Sequence, residues 1–501
     1  MSYKVLVANL PGLVEERTGH FRHYVKAGSR WPFTAGFGRE IGYLPYPFFL
    51  GYTSALLKRD SEAEVKGIDG VVEHMTDKEF LAKLKQESPD LVIAEVPILT
   101  MTDDLELLKK IKEELGAKIV VCGPQTTSMA REILTNSQHI DYVMLGEYEL
   151  TALELVDRLV RKSSNDARTI KGLAWRDNGK IILNERRPLL KDLDFLPFPD
   201  REDFPGDKYR DFAFLMPCIQ MYSSRGCPFR CIFCAERQVF YAEPTYRMRN
   251  PGKVVDEMEL VIERFKARQI YFDDMTFTVR GEHATGICRE IIRRKLEIPW
   301  TCMGDAMAST FGELEIMKKA GCIGMKFGVE SAVPEILKNI GKPLDLAKVR
   351  QVVEWLRRLG IRSHATYCIG LPGETLETIN QTLKFASSLG SDSCQISMAT
   401  PYPGTPFFEL CKKEGYLTTT DFSKYDGTQN AVIAYPNLSA DAIKKSYELA
   451  KESLFKPGKS FSLAWYMSRP RIALKTIMLN YHKNGLKGLL ALFRKGLGKL
   501  A

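Results

Sequence analysis

Residues 225–234 read Arg225-Gly226-Cys227-Pro228-Phe229-Arg230-Cys231-Ile232-Phe233-Cys234, three thiols spaced C-x3-C-x2-C. They follow directly on a strand-like run, Gln220–Ser223. Further strand-like runs lie at Gln269–Phe272, Trp300–Met303, Gly324–Gly328, Ser363–Ile369 and Gln395–Met398. Helical patterns alternate with them, among them Pro251–Phe265, Phe311–Ala320, Leu346–Leu359 and Leu376–Leu389. Six such βα units predict a partial (β/α)6 barrel of the TIM type, with its chemistry at the C-terminal strand ends. The three cysteines stand at the first of those ends.

Thiolates in this pattern are metal ligands. An iron–sulfur cluster of four irons normally takes four of them. Only three are close together here, so one iron is left open to an outside ligand, such as the amine and carboxylate of an amino acid. Two alternatives compete. A structural zinc site takes four ligands, usually in C-x2-4-C pairs, but there is no second pair and no histidine in the loop. An electron-transfer cluster needs a fourth cysteine, and the one nearby candidate, Cys218, lies before the strand, away from the loop.

The C-x3-C-x-aromatic-C pattern after the first strand of a six-unit barrel resembles the signature of the radical S-adenosylmethionine superfamily, with Phe233 as the aromatic residue. The resemblance implies that Cys227, Cys231 and Cys234 hold a [4Fe–4S] cluster. It also implies that S-adenosylmethionine binds along successive strand ends. Phe272-Asp273-Asp274 looks like the site for its amino group, and Glu330-Ser331 like the ribose contact. Gly370-Leu371-Pro372, opening Gly370–Glu374, looks like the adenine-side turn. In this family one electron cleaves the cofactor, and the resulting 5′-deoxyadenosyl radical takes a hydrogen atom from the substrate. That electron implies a donor such as flavodoxin or ferredoxin.

The first 160 residues also alternate strands with helices. Strand-like runs lie at Tyr3–Ala8, Glu64–Ile68, Leu91–Ala94, Lys118–Cys122 and Tyr142–Leu145, with helical patterns such as Asp103–Leu115 between them. This predicts a doubly wound, Rossmann-like parallel sheet with ligands bound beyond its C-terminal ends. No Gly-x-Gly-x-x-Gly follows the first strand, which disfavours a dinucleotide. Three stretches resemble the cobalamin-binding domain of one branch of the superfamily: Tyr46–Tyr52, Cys122–Thr127 and Gly146–Thr151. The resemblance implies cobalamin contacts at Pro11, Pro97, Gly123, Pro124, Gln125, Gly146 and Glu147. Cys122 and Gln125 stand where that branch commonly has Gly and His. No Asp-x-His-x-x-Gly occurs, so no axial histidine is offered to cobalt. In the barrel, Asp305 stands near a place where close relatives often carry Arg.

The branch mostly comprises methyltransferases, so methylation of an unactivated carbon in a small-molecule, lipid or pigment substrate is the leading expectation. A minority form rings. Tyr246–Pro251 and Met398–Thr405 resemble the hopanoid-associated group, and the anaerobic cyclase of bacteriochlorophyll synthesis is also similar, so a ring-forming enzyme is the alternative. A sensor that binds both cofactors without turnover is a third reading. Tyr402, Tyr425 and Asp426 are substrate-side candidates, with packing and turn formation as their simpler reading.

The chain of 501 residues is 45% hydrophobic and 27% charged, as in globular proteins. Of eleven cysteines most lie singly in apolar runs, and Cys122, Cys302, Cys322 and Cys368 read as buried thiols; without a secretion signal a disulfide framework is not expected. The net charge of +9 is local. Residues 456–501 hold ten Lys and Arg and no acid, leaving 61 basic and 62 acidic residues elsewhere. That argues against a nucleic-acid face. Apolar residues of this tail fall on one helical face and lysines on the other, which reads as a peripheral membrane contact or as packing on the barrel. No signal peptide or membrane-spanning run is read, so the expected location is cytoplasmic, peripheral to the inner membrane face if the tail binds it. The expected domains are 1–160 (cobalamin), 161–215 (connector), 216–407 (barrel), 408–455 (helical cap) and 456–501 (basic tail).

Overall fold

The computed structural model describes residues 2–15, 21–26, 32–37, 44–161, 167–342 and 344–454. The expected basic tail, 456–501, lies outside the described residues. The short apolar runs become the parallel strands of two sheets. In the N-terminal sheet, β1 (Lys4–Asn9) is followed by a small antiparallel meander of β2 (Leu13–Glu15), β3 (Phe21–Lys26) and β4 (Pro32–Phe37). The sheet continues with β5 (Glu64–Asp69), β6 (Leu91–Glu95), β7 (Lys118–Cys122) and β8 (Tyr142–Met144). A hairpin, β9 (Leu173–Asp177) and β10 (Lys180–Leu183), completes it.

The order is β10-β9-β8-β7-β6-β1-β5. Val7 sits opposite Gly67 on one side and Ile93 on the other. The strands are buried on both faces because helices cover both, which is why their sequences are nearly continuous apolar runs. Chain order reverses between β1 and β6, and a sheet of this order binds ligands outside the strand ends at that reversal. Pro11 and Pro97 stand just beyond those two strands.

The hairpin around Asp177-Asn178-Gly179 forms as expected, but β9 pairs antiparallel with β8. The first sheet therefore runs on to Leu183, past the expected domain end at 160, and part of the expected connector belongs to it. The rest of the connector is stapled down. Asp200 accepts from Ser54 Oγ and Lys58 Nζ, and Arg201 donates to Gln220 O and Glu257.

The second sheet is β11 (Cys218–Met221), β14 (Gln269–Phe272), β15 (Trp300–Met303), β16 (Cys322–Glu330), β17 (Arg362–Ile369) and β18 (Ser393–Met398), side by side and parallel. It is a partial barrel of six βα units. A separate two-stranded ribbon joins β12 (Ser224–Arg225) to β13 (Arg247–Met248). Helices Pro251–Phe265, Leu346–Leu359 and Leu376–Leu389 occupy the predicted spans. Helix Ala440–Leu454 packs on β18 and on helix Leu376–Leu389. No helix among the described residues is long and apolar enough to cross a membrane.

Candidate active site

The site is built from the C-terminal ends of both sheets. In the barrel, β11 leads through Tyr222 and Ser223 into β12, and the chain then turns at Gly226. That residue has φ +89°, and a Cβ there would lie 2.6 Å from the Thr245 carbonyl oxygen, so only glycine fits. Beyond it Cys227, Cys231 and Cys234 are free and half-buried. Burial pushes the Cys227 thiol up to about 12, and the Cys231 and Cys234 thiols rise for the same reason. The thiols lie close enough for a charge on one to raise its neighbours further. Loading a metal group must therefore displace their protons.

The loop is held from several sides. Ile232 N donates to Ile340 O and Phe407 N to Ile232 O, while Arg237 Nε reaches Phe229 O. Among the described residues no three His, Cys, Asp or Glu side chains converge on a single point. In a four-iron cluster each thiolate binds a different iron, so its ligands stand apart around a cube. Cys218, the fourth thiol an electron-transfer cluster would need, is fully buried at the opposite end of β11.

The motifs expected for S-adenosylmethionine gather at the same end of the barrel. Asp273 and Asp274 follow β14 and are fully buried. Asp274 Oδ1 accepts from Ser223 N and both serine hydroxyls of Ser223 and Ser224, anchoring the approach to the cysteine loop. Burial raises its carboxyl to about 6 despite those donors.

Glu330 ends β16 in the left-handed region, φ +65°. Its Oε1 lies 2.6 Å from Lys342 Nζ. Ser331 is turned to structure, with its hydroxyl on Thr382 Oγ1 and accepting from Val333 N. The Gly370–Pro372 turn after β17 is drawn around Glu374, which accepts from Gly370 N and Leu371 N at 2.6 and 3.0 Å. Phe233 packs partly buried against the core.

The substrate-side candidates serve the loops. Asp426 accepts from three successive backbone N–H groups, at Thr428, Gln429 and Asn430. Tyr425 donates to Thr419 O. Tyr402 Oη reaches Tyr425 O at 3.5 Å. Asp305, two residues beyond β15, has Oδ1 capping the turn at Met307 N and Ala308 N.

The ends of the first sheet face this region. Gly123 leads into the short helix Pro124–Ser128, and Gln125 is buried. The Gly123 carbonyl accepts from Thr126 and Thr127, and Thr127 Oγ1 accepts from Gly146 N. This turn packs against a π turn, Glu236–Phe240, just after Cys234. A Cβ on Gly404, after β18, would lie 2.7 Å from Ser128 Cβ. The turn Ile98–Thr100 behind Pro97 meets Phe422–Lys424. Glu147 is buried. Burial opposes its ionisation, but Arg247 and Arg225 outweigh that and hold its carboxyl below the usual range.

The sequence pattern of the radical SAM superfamily matches residues 221–386, and that of the B12 binding domain matches 36–156. An uncharacterized methyltransferase of Pyrococcus horikoshii is 30% identical over 470 residues, covering 92% of this chain and 97% of its own. The chain belongs to the radical SAM superfamily, in its B12-binding branch. This radical SAM enzyme is also 27% identical to the anaerobic magnesium-protoporphyrin IX monomethyl ester cyclase of Cereibacter sphaeroides, over 78% of this chain and 64% of the cyclase. Its fold is shared with TsrM, a radical S-adenosylmethionine methyltransferase of Kitasatospora setae solved with cobalamin and a [4Fe-4S] cluster. The TM-score is 0.64 at 19% identity, over 84% of this chain and 80% of that one. Membership brings the cofactors of the branch: a [4Fe–4S] cluster, S-adenosylmethionine and cobalamin.

Sequence reading misses Lys342, which lies twelve residues beyond the Glu330 motif, and the arginines Arg225 and Arg247. Their one signal is position, since they flank the cysteine-bearing loop.

Proposed function

We propose that this radical SAM enzyme methylates an unactivated carbon of a small-molecule, lipid or pigment substrate. The observation that carries the reading is the apposition of the two sets of strand ends. The turn at Pro124–Ser128 packs on the segment that follows Cys234, so the two cofactor regions share one wall. When bound, the cluster and S-adenosylmethionine supply a radical that removes a hydrogen atom, and cobalamin supplies the methyl group. The chain's own residues bind and orient. Cys227, Cys231 and Cys234 hold the cluster. Asp273 and Glu330 receive the amino and ribose ends of S-adenosylmethionine, and the Gly370–Pro372 turn receives its adenine. Pro11, Pro97, Gly123, Pro124, Gln125 and Gly146 line the cobalamin side. Residues after β18 meet the first domain at Gly404 and Phe422–Lys424 and serve to exclude water, which protects a radical from quenching. The electron comes from a flavodoxin- or ferredoxin-like donor.

Methyl-deuterated S-adenosylmethionine tests the reaction. The reduced enzyme is incubated with a lipid and pigment extract of the source cells. Methyl transfer yields 5′-deoxyadenosine, S-adenosylhomocysteine and a product carrying the deuterated methyl. Ring formation, which the cyclase relative favours, yields 5′-deoxyadenosine with no labelled product.

A further inference from the structure

The resemblance assigns Glu147 to cobalamin, but the structure uses its carboxylate elsewhere. Oε1 accepts from Arg247 Nη2 at 2.8 Å and Arg225 Nη1 at 3.3 Å. Oε2 accepts from Arg247 Nη1 at 2.8 Å and Leu190 N at 3.3 Å. A carboxylate has about four lone-pair sites, and all are taken. Two residues on, Glu149 Oε1 lies 2.7 Å from Arg225 Nη2. The Arg225 guanidinium is sandwiched over the rings of Phe49 and Tyr52, at 4.6 and 4.7 Å. Only 3% of its side chain is exposed.

The two arginines are directly opposite one another in the β12–β13 ribbon. They are the two ends of the loop 226–246 that carries all three cysteines. Both ends are thus gripped by carboxylates from the other domain. Next to the same ribbon, Arg186 Nη2 donates to the carbonyls of Val239 and Phe240 inside the loop.

We propose that Glu147, supported by Glu149, is a positioning residue of the cysteine loop and not a cobalamin contact. It clamps the base of the loop, and its charge balances the two arginines at the loop's ends. The proposal rests on the reading that the cluster sits on Cys227, Cys231 and Cys234. Removing the Glu147 charge leaves a buried arginine without its partner and adds one positive charge beside the loop, in a medium that screens it poorly. Positive charge near a cluster favours its reduced, more negative state.

The test uses the full chain, reconstituted anaerobically, as wild type, Glu147→Gln and the double variant Glu147→Gln/Arg247→Gln. Hydroxocobalamin is titrated by absorbance, and the cluster midpoint potential is followed by electron paramagnetic resonance. The expected result is wild-type cobalamin affinity in both variants, a raised potential in Glu147→Gln, and its return in the double variant. A merely structural clamp would not restore the potential when the second charge is removed. Weakened cobalamin binding, or a potential that stays put or fails to return, overturns the proposal. If Glu147→Gln does not fold, the double variant carries the test alone: it must bind hydroxocobalamin as the wild type does. Iron and sulfide content of the wild type separately tests the cluster reading beneath it.

Discussion

Cys227, Cys231 and Cys234 differ from the other eight thiols by place, not by type. They sit half-buried on a loop at a strand end, whereas Cys218, Cys302 and Cys322 are fully buried within strands. Replacing any of the three with Ala should abolish bound iron and sulfide, and Cys218→Ala should leave both at wild-type content in an iron and sulfide assay. Glu374 makes a second residue-scale prediction. Burial raises its carboxyl to about 7, against an ordinary value of 4.5. The folded state therefore binds this proton more tightly than the unfolded one. The group's contribution to stability is greatest at low pH and falls as pH rises through that window, by up to about 1.4 kcal/mol per pH unit. Denaturant titrations at several pH values should show that slope in the wild type and its loss in Glu374→Gln. Residue roles were only partly legible in the sequence. Cysteine spacing carries its own chemistry, but the turning of Ser331 to Thr382 and the saturation of Glu147 depend on partners 51 and 100 residues away.

At the scale of elements, the barrel was legible where an apolar run is bounded by polar or helix-starting residues. Gln269–Phe272 ends at Asp273-Asp274, and helix Pro251–Phe265 begins with Asn250 capping Gly252 N before a proline. The docking of β9 on β8 was not legible, because a hairpin signal specifies its own turn and not the edge it joins. The meander β2–β4 was also missed, since β2 spans only three residues and is too short for a periodic pattern. The approach from β11 to the cysteine loop depends on Asp274, which gathers Ser223 N and two serine hydroxyls. Asp274→Ala leaves these buried donors without an acceptor, at a cost of about 1–3 kcal/mol. Thermal unfolding should show the loss, and cluster content should fall with it.

The whole molecule places two parallel sheets with their C-terminal ends toward one another. The cysteine loop lies between them, tied to both. It is hydrogen-bonded to the barrel at Ile340 and Phe407, and its base is ion-paired to the first domain at Glu147 and Glu149. The N-terminal domain is thus part of the wall of the proposed radical-generating site, which the barrel pattern alone would not reveal. The basic tail makes a prediction at this scale. If residues 470–501 form a membrane contact, the full chain should float with anionic liposomes and a chain ending at 469 should not; equal flotation removes the membrane reading. The most direct measurement of the central claim is 5′-deoxyadenosine formation by the reconstituted, chemically reduced enzyme given S-adenosylmethionine, read by mass spectrometry. The wild type should form it and Cys231→Ala should form none. A fully cluster-loaded wild type that forms none, or a Cys231→Ala variant that matches the wild type, would contradict the account.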